Sequence, residues 1–258
     1  MVHKEINAVD LAFVVDTTGS MGGLIEAAQR QMINMMQQLA QAADIQLRLG
    51  VVEYRDHPPQ DKMVYRLHNF TADLQKAQHT LQGLRADGGG DAPEAVFDGI
   101  VAACRELAWR KHARRLGVLV GDAPPHGLGT SGDRFPNGCP CGETIESVTR
   151  LAEETLVTFH AISLTPQAND AFRTISGLTG GMFFTAQQAN AAIERLTSML
   201  KSEFSDLELD KNILATWQKN PDISIEELAE QTESSRHAVS ASFVRLLSRS
   251  LIEVPVAQ

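Results

Sequence analysis

The sequence has few cysteines and aromatic residues, no excess of positive charge and no long apolar run. None of its segments approaches the ~20 consecutive apolar residues that a membrane-spanning helix needs. The N-terminal stretch MVHKEINAVD has no apolar signal core, so we expect a cytoplasmic protein. The net charge of −9 disfavours binding to nucleic acid or to an anionic membrane surface. Three cysteines in 258 residues predict reduced thiols or a metal site rather than a disulfide framework.

Short β-rich runs alternate with longer helical patterns over residues 1–204. This alternation is typical of an α/β, doubly wound, Rossmann-like fold, in which helices cover both faces of a mostly parallel sheet. In such folds, ligands bind beyond the carboxyl ends of the strands. The predicted strands are 8–15, 47–54, 64–70, 116–120, 156–164 and 182–185, and the predicted helices are 23–42, 73–84, 93–109, 143–154, 169–178 and 189–204.

The alternation stops near residue 205, and residues 205–258 predict a small second domain of three helices. These helices are expected at 210–219, 224–230 and 235–248, and Ser224-x-x-Glu227 is a capping-box pattern. The apolar residues that recur at helical spacing, and are expected to form its core, are Trp217, Ile225, Leu228, Ala229, Val239, Phe243, Leu246 and Leu247.

The stretch DTTGS, residues 16–20, directly follows the first predicted strand. Asp16, Thr18 and Ser20 alternate along a turn, so their oxygens can converge on one point. One carboxylate and two hydroxyls are hard ligands that suit Mg²⁺, Mn²⁺ or Ca²⁺. The alternative is that these side chains cap the helix that follows.

This D-x-T-x-S pattern resembles the metal-ion-dependent adhesion site (MIDAS) of von Willebrand factor type A domains, and the resemblance covers residues 7–203. It implies that Asp122 in GDAPPHG supports the ion. The stretch GGGDAPEAVFDGI, residues 88–100, is similar to the metal loop of integrin β I-like domains, which implies that Glu94 is a ligand. The same likeness implies a second cation site, where Gly89 stands in place of the family's asparagine; its residues would be Asp56, Asp91, Pro93 and Glu94.

A second group of metal-binding residue types lies between residues 126 and 141. His126, Cys139 and Cys141 would suit Zn²⁺, and His160 or His112 would complete a set of four. The alternative is a surface insertion with two free thiols, because C-x-C is not the usual spacing of zinc ligands. Cys104 lies on the apolar side of a predicted helix and is expected in the core.

Residues 213–255 resemble a winged helix-turn-helix domain, with 235–248 as recognition helix and 251–256 beginning the wing. Arg236, His237, Arg245 and Arg249 would form a face for DNA or for a protein partner. However, residues 205–258 contain five Lys and Arg against nine Asp and Glu, a net charge of −4. Such a domain is a poor solitary DNA binder, so the docking of a protein is the favoured role.

Catalysis is not expected. Position 18 is threonine, so the Asp-x-Asp of haloacid-dehalogenase-type phosphatases is missing, and neither G-x-S-x-G nor a phosphate-binding loop occurs. The sequence favours a bacterial, cytoplasmic adaptor whose Mg²⁺ captures a carboxylate of a partner protein. The competing hypothesis is a transcription regulator, in which the large domain is a sensor or oligomerisation module and the winged helix reads DNA.

Overall fold

The computed structural model describes residues 5–26, 45–90, 92–186 and 188–253, and its strands form one sheet. The strands are β1 (Ala8–Asp16), β2 (Gln46–Tyr54), β3 (Tyr65–Thr71), β4 (Arg114–Gly121), β5 (Val157–Ser163) and β6 (Phe183–Thr185). Their order is β3-β2-β1-β4-β5-β6. β3 is antiparallel to β2, and β5 is parallel to both β4 and β6. The predicted α/β fold with a mostly parallel sheet is confirmed.

Helices connect and follow these strands. They are α1 (Leu74–Gly83), α2 (Val96–Glu106), α3 (Ile145–Glu154), α4 (Asn169–Leu178), α5 (Ala189–Trp217), α6 (Ile225–Gln231) and α7 (Arg236–Ser248). Residues 22–26 are also helical. The rest of the predicted helix 23–42 lies outside the described residues. No helix among the described residues is long and apolar enough to cross a membrane.

The carboxyl ends of β1 and β4 position the polar residues that follow them. All nine residues of β1 are buried, as expected for a strand that is covered on both faces. β1 and β4 are neighbours in the sheet, so Asp16 at the end of β1 and Asp122 after β4 lie at the same edge. The capping box at Thr144 begins α3 and so ends the long connection after β4.

The described chain divides into two compact units. The larger comprises residues 9–109 and 115–197, and the smaller comprises residues 5–8, 110–114 and 198–253. The larger unit holds most of the sheet and its core, which contains Cys104 as predicted. The domain boundary predicted between residues 204 and 205 falls inside α5.

In the C-terminal part, α5 corrects the predicted helix ends. A single helix runs from Ala189 to Trp217, where the sequence predicted one helix to residue 204 and another from residue 210. Residues 198–217 contain neither proline nor glycine, so nothing in them breaks the helix.

The predicted core of the C-terminal residues forms in part. Leu228, Ala229, Val239 and Leu246 are buried, but Ile225 and Leu247 are 39% and 38% exposed. Residues 251–253, the described beginning of the predicted wing, form no strand. Residues 254–256 lie outside the described part of the chain.

Candidate metal centre

Asp16 and the turn after it form the centre of the candidate site. The backbone N–H and the hydroxyl of Thr18 both donate to Oδ1 of Asp16, at 2.8 and 2.7 Å. The hydroxyl of Ser20 lies 3.3 Å from that of Thr18. Asp16 is fully buried, and its second oxygen, Oδ2, has no hydrogen-bond donor among the described residues. The three side chains therefore gather their oxygens at one place and leave one carboxylate oxygen unsatisfied.

The side chain of Thr18 is not used to cap the short turn that follows it. Thr18 stands at the N-cap position of the short 3₁₀ turn Gly19–Met21, but its side chain makes no capping hydrogen bond there. The hydroxyl is directed at Asp16 instead. Thr18 therefore does not cap this 3₁₀ turn.

The glycine-rich loop after α1 packs directly on the turn. The N–H of Gly19 donates to the carbonyl of Gly88 at 3.1 Å, and the N–H of Asp87 donates to the carbonyl of Thr17 at 3.0 Å. Gly89 has φ +78°, and a Cβ there would lie 3.1 Å from Cβ of Thr18 and 3.2 Å from Oε1 of Glu94. Only glycine allows this close approach without strain. The glycines thus bring Glu94 to the Asp16 turn.

The backbone of Glu94 is paired with the segment that follows β4. Its N–H donates to the carbonyl of Pro124 at 2.9 Å, and Glu94 forms a parallel bridge with Pro125. Glu94 is 3% exposed, and Asp122 is half-buried. The hydroxyl of Thr165 donates to the carbonyl of Asp122. Both acidic residues are therefore fixed by backbone contacts rather than by long flexible loops.

Three carboxyl groups act on the buried phenol of Tyr54 at this edge of the sheet. Burial raises the pKa of the Tyr54 phenol well above 10, and the charges of Asp16, Glu94 and Asp122 raise it further. Burial is also the main reason that the pKa of Asp16 rises from 3.8 to about 7. Nearby Asp122 adds to this rise, while the hydrogen bonds from Thr18 oppose it. Such a concentration of negative charge at low dielectric is unfavourable unless a proton or a cation neutralises it.

The residues fit a hard divalent cation. Their donors are carboxylate and hydroxyl oxygens, which Mg²⁺ and Mn²⁺ prefer, and the orphaned Oδ2 of Asp16 supplies an unsatisfied ligand atom. A surface groove opens beside Ser20 and Asp122, so the site is accessible to an external group. The groove is lined by Ser20, Met21, Gly23, Leu24, Asp122, Leu164, Thr165 and Gln188.

The structure gives Asp56 a different neighbour from the one that the second cation site implies. Asp56 is fully buried, and its Oδ1 accepts from the N–H of His57 at 2.6 Å and lies 2.7 Å from Nε2 of His126. Pro93 is buried next to Glu94. Asp91 lies outside the described residues. In the described part of the chain, the group that lies beside the carboxylate of Asp56 is therefore the imidazole of His126.

His126 is held between two carboxylates. Its Nδ1 lies 2.9 Å from Asp133, which also accepts from the N–H groups of Gly127 and Phe135. Burial lowers the pKa of His126, but the hydrogen bonds to Asp56 and Asp133 outweigh burial and raise the pKa overall. Carboxylates thus engage both ring nitrogens of His126. The predicted grouping of His126 with Cys139 and Cys141 is therefore not found among the described residues.

Two other residues meet the cysteines instead. His57 and Asp98 lie within 3.2 and 3.4 Å of Sγ of Cys139. Of the other histidines considered from the sequence, His112 contacts the carbonyl of Arg249, and His160 accepts from the N–H of Met182. Sequence reasoning missed His57 and Asp98. A signal was present, because His57 follows Asp56 and Asp98 follows Glu94, two positions already assigned to the same edge of the sheet.

The four residues proposed for a DNA or partner face do not share one surface. Arg236 and His237 are exposed, and Arg236 lies 3.1 Å from Glu226. Arg245 binds the buried carboxylate of Asp210 through two nitrogens, at 2.6 and 3.0 Å.

Arg249 is only 5% exposed and donates to the backbone carbonyls of Glu5, Ile6 and His112. Arg245 and Arg249 therefore stabilise the smaller unit from within and are not available to a partner.

Comparison with known proteins finds similarity to von Willebrand factor A domains. Residues 10–111 match the family model described as von Willebrand factor A domain. Over 156 residues the chain is 29% identical to "Alpha-protein kinase vwkA" of Dictyostelium discoideum. This alignment covers 57% of this chain and 24% of that protein.

Two solved structures show the fold. One is proximal thread matrix protein 1 from the mussel byssus with a zinc-occupied MIDAS motif: TM-score 0.53, 14% identity, 74% of this chain and 44% of that one. The other is the conserved hypothetical protein BatB from Bacteroides thetaiotaomicron: TM-score 0.51, 13% identity, 76% of this chain and 97% of that one.

The chain thus spans about a quarter of its curated relative and less than half of the mussel protein. The family match covers residues 10–111, and the two solved structures share the fold of this chain.

Proposed function

We propose that this protein is a metal-dependent binding adaptor of the cytoplasm, which holds Mg²⁺ at the edge of its sheet and uses the ion to capture a carboxylate of a partner protein. Asp16, Thr18, Ser20 and Glu94 would bind the ion, and Asp122 would hold water molecules around it. The carboxylate and hydroxyl donors favour Mg²⁺ or Mn²⁺ over a soft metal. The mussel protein holds zinc in its own MIDAS motif, so the choice of metal has to be measured.

The observation that carries the proposal is the unsatisfied oxygen of Asp16. A buried carboxylate oxygen without a donor is strongly unfavourable, and the neighbouring carboxyl of Asp122 makes it more so. A divalent cation would bind the unsatisfied oxygen of Asp16 and would also neutralise the repulsion from Asp122, because it is the largest local charge in such a site.

The proposed capture of a carboxylate follows from the coordination positions of the ion that the protein does not fill. Mg²⁺ takes six oxygen ligands and keeps several waters where the protein supplies few charged donors. The groove beside Ser20 and Asp122 gives an outside group access to that position. A carboxylate from a partner would replace a water and would add charge that the ion attracts.

We propose binding rather than catalysis. Among the residues that the structure describes, those that line the groove include no histidine, cysteine or lysine that would serve as base or nucleophile beside the ion. The kinase named among the relatives is a protein of which this chain spans about a quarter, and that activity belongs to the whole relative.

We further propose that the C-terminal helices are a docking module of the winged-helix type for a second protein. The acidic residues Glu226, Glu230 and Glu233 line a depression together with Arg236, the first residue of α7, and their charge disfavours DNA phosphates there. On α7 itself, Val244 and Leu247 are 66% and 38% exposed and lie one turn apart. An acidic surface with an apolar stripe suits a protein better than a phosphate backbone.

The test uses the intact chain loaded with Mn²⁺, and ¹³C-labelled acetate as the probe of carboxylate capture. Bound Mn²⁺ should relax the acetate carboxyl signal in a saturable way, and a short peptide that contains glutamate should compete while its glutamine counterpart should not. The matched variants are Asp16→Asn and Asp87→Asn, because each removes one negative charge near the turn, but the Asp87 side chain is 81% exposed. Relaxation should be lost with the first variant and kept with the second. Equal relaxation in both variants would refute carboxylate capture at this ion.

A further inference from the structure

Four metal-ligating side chains meet outside the site described above. Nε2 of His57 lies 3.2 Å from Sγ of Cys139 and 3.0 Å from Oδ2 of Asp98. Sγ of Cys139 lies 3.4 Å from the same oxygen of Asp98, and 3.0 Å from Sγ of Cys141. The first three atoms form a closed triangle, and Cys141 stands at one corner of it.

These residues come from three separate segments. His57 is in the connection between β2 and β3, Asp98 is in the first turn of α2, and the cysteines are in the long connection between β4 and α3. Cys139 is 82 residues from His57 and 41 from Asp98 along the chain. The side chains of His57 and Asp98 are only 8% and 11% exposed, and Cys139 is buried. Chance contact of exposed acidic groups does not explain such a convergence.

The group is poorly satisfied by hydrogen bonds alone. Thiols are weak hydrogen-bond donors and weak acceptors. Here the two thiols contact each other, and the thiol of Cys139 also contacts a carboxylate and an imidazole. The hydrogen bond with Cys141 and burial both raise the pKa of the Cys139 thiol. A soft dication would turn these contacts into strong bonds, since it binds thiolates in preference to thiols.

We propose that His57, Asp98, Cys139 and Cys141 form a closed structural zinc site. Cys, His and Asp are all zinc ligands, and four of them fill the tetrahedral shell of a structural site. With Zn–S bonds of about 2.3 Å and Zn–N or Zn–O bonds of about 2.0–2.1 Å, the edges of that tetrahedron are roughly 3.3–3.8 Å. The four observed separations of 3.0–3.4 Å need to widen by less than about 1 Å to admit the ion. Cys141 is not among the three residues whose ligand atoms all lie within 4.8 Å of one another, so its side chain has to turn toward the ion.

The ion would fasten the segment after β4 to the first turn of α2. The same segment already pairs with the backbone of Glu94 through Pro124 and Pro125, and Asp98 lies one turn beyond Glu94. Zinc would therefore hold in place the loop that supports Glu94, from a position that has no coordination site left for a substrate. This role differs from that of the adhesion site, whose ion has to keep a position open.

The test measures zinc by elemental mass spectrometry in the full chain carrying Asp16→Asn, which removes the adhesion site as a place for zinc. We expect about one zinc per chain. Adding Cys139→Ser should abolish it, and adding Cys104→Ala should leave it unchanged, because Cys104 is a buried thiol of the core and not of this cluster. Absence of zinc in the Asp16→Asn protein, or retention of zinc after Cys139→Ser, would overturn the proposal.

Two further readouts keep the outcome clear if Cys139→Ser fails to fold. Cobalt added to the wild-type chain should give thiolate-to-metal charge-transfer absorption with tetrahedral bands, and Cys141→Ser, at a half-buried position, should weaken this absorption. Intact mass under non-reducing conditions separates a metal site from a disulfide. A chain lighter by two hydrogens, with no cobalt spectrum, would show that Cys139 and Cys141 are joined and would refute the site.

Discussion

Thr18 gives both its backbone N–H and its hydroxyl to a single oxygen of Asp16, Oδ1, and leaves the other oxygen, Oδ2, without a donor among the described residues. A carboxylate that only ended a strand would share its hydrogen bonds between both oxygens or face water. This one is fully buried and lies beside a second carboxyl group, that of Asp122. The arrangement orients Oδ2 for a cation.

The first prediction concerns the pH dependence of stability without metal. The folded-state pKa of Asp16 is about 7, above its ordinary value of 3.8. For an acid whose pKa is raised by folding, the contribution to stability is fully present below the unfolded pKa and is lost as pH rises through the folded pKa. In EDTA, wild type should therefore lose up to a few kcal/mol between about pH 4 and pH 7 that Asp16→Asn does not lose.

Urea unfolding of both proteins at several pH values checks this prediction. The comparison between the two variants is needed because the raised pKa of His126 adds a pH dependence of the same sign to both. A constant difference in unfolding free energy between the two proteins from pH 4 to pH 8 would show that the carboxyl of Asp16 titrates normally.

The second prediction concerns competition between protons and metal. Binding of Mn²⁺ requires the ionised carboxylate of Asp16, so below the pKa of about 7 the apparent affinity should fall. One released proton corresponds to about a tenfold loss of affinity per pH unit. Calorimetric titration with Mn²⁺ at pH 8, 7, 6 and 5 would measure this slope, and an affinity independent of pH would contradict it.

The third prediction tests the glycine at the centre of the metal loop. Gly89→Ala should weaken Mn²⁺ binding, because the new Cβ would lie 3.1 Å from Cβ of Thr18 and 3.2 Å from Oε1 of Glu94. The matched control is Gly129→Ala, where φ is +77°, as against +78° at Gly89, but no atom lies within 4 Å of the new Cβ. Both variants should lose roughly 1–2 kcal/mol of stability from the left-handed backbone. Only Gly89→Ala should lose metal affinity, and equal affinities would show that the loop does not shape the site.

The fourth prediction separates the arginines of α7. Arg245→Ala should destabilise the protein by about 3–5 kcal/mol, because it leaves the carboxylate of Asp210, which is 1% exposed, buried without its cation. Adding Asp210→Asn should recover part of the loss. Arg236→Ala should have no measurable effect, since both its side chain and that of Glu226 are more than half exposed. Thermal unfolding of the variants would reveal the difference, and equal melting temperatures for Arg245→Ala and wild type would contradict it.

The fifth prediction concerns nucleic acid. At low salt, the intact chain should not retard a random DNA duplex in a gel. The acidic residues Glu226, Glu230 and Glu233 line the depression beside Arg236, and two of the four residues predicted for a DNA face, Arg245 and Arg249, are engaged inside the smaller unit. Retardation that weakens with salt and with Arg236→Glu would instead support the transcription-regulator hypothesis.

The sequence was sufficient to predict the sheet and the proximity of Asp16 to Asp122. This was possible because buried strands have a distinct apolar pattern and the carboxyl ends of neighbouring parallel strands meet at one edge. The zinc cluster could be predicted only in part. Cys139 and Cys141 were recognisable by residue type, but their neighbours are 82 and 41 residues away, and only the three-dimensional path of two loops selects His57 over His126.

The C-terminal residues show another limit. A basic residue at helical spacing looks the same in sequence whether it faces solvent or a buried acid. Arg245 was predicted on an outer face, yet its partner is Asp210, 35 residues earlier on α5. The helix break predicted near residue 205 was wrong for a related reason: the loss of an apolar pattern was taken as an end, although no helix-breaking residue was present.

The most direct test of the account is a calorimetric titration of the full chain with Mn²⁺ at pH 8, on wild type, Asp16→Asn and Asp87→Asn. We expect one binding event in wild type, the same event in Asp87→Asn, where an exposed carboxylate near the turn is removed, and none in Asp16→Asn. Circular dichroism should show that all three proteins are folded. Undiminished Mn²⁺ binding by folded Asp16→Asn would contradict the claim that Asp16 holds the ion.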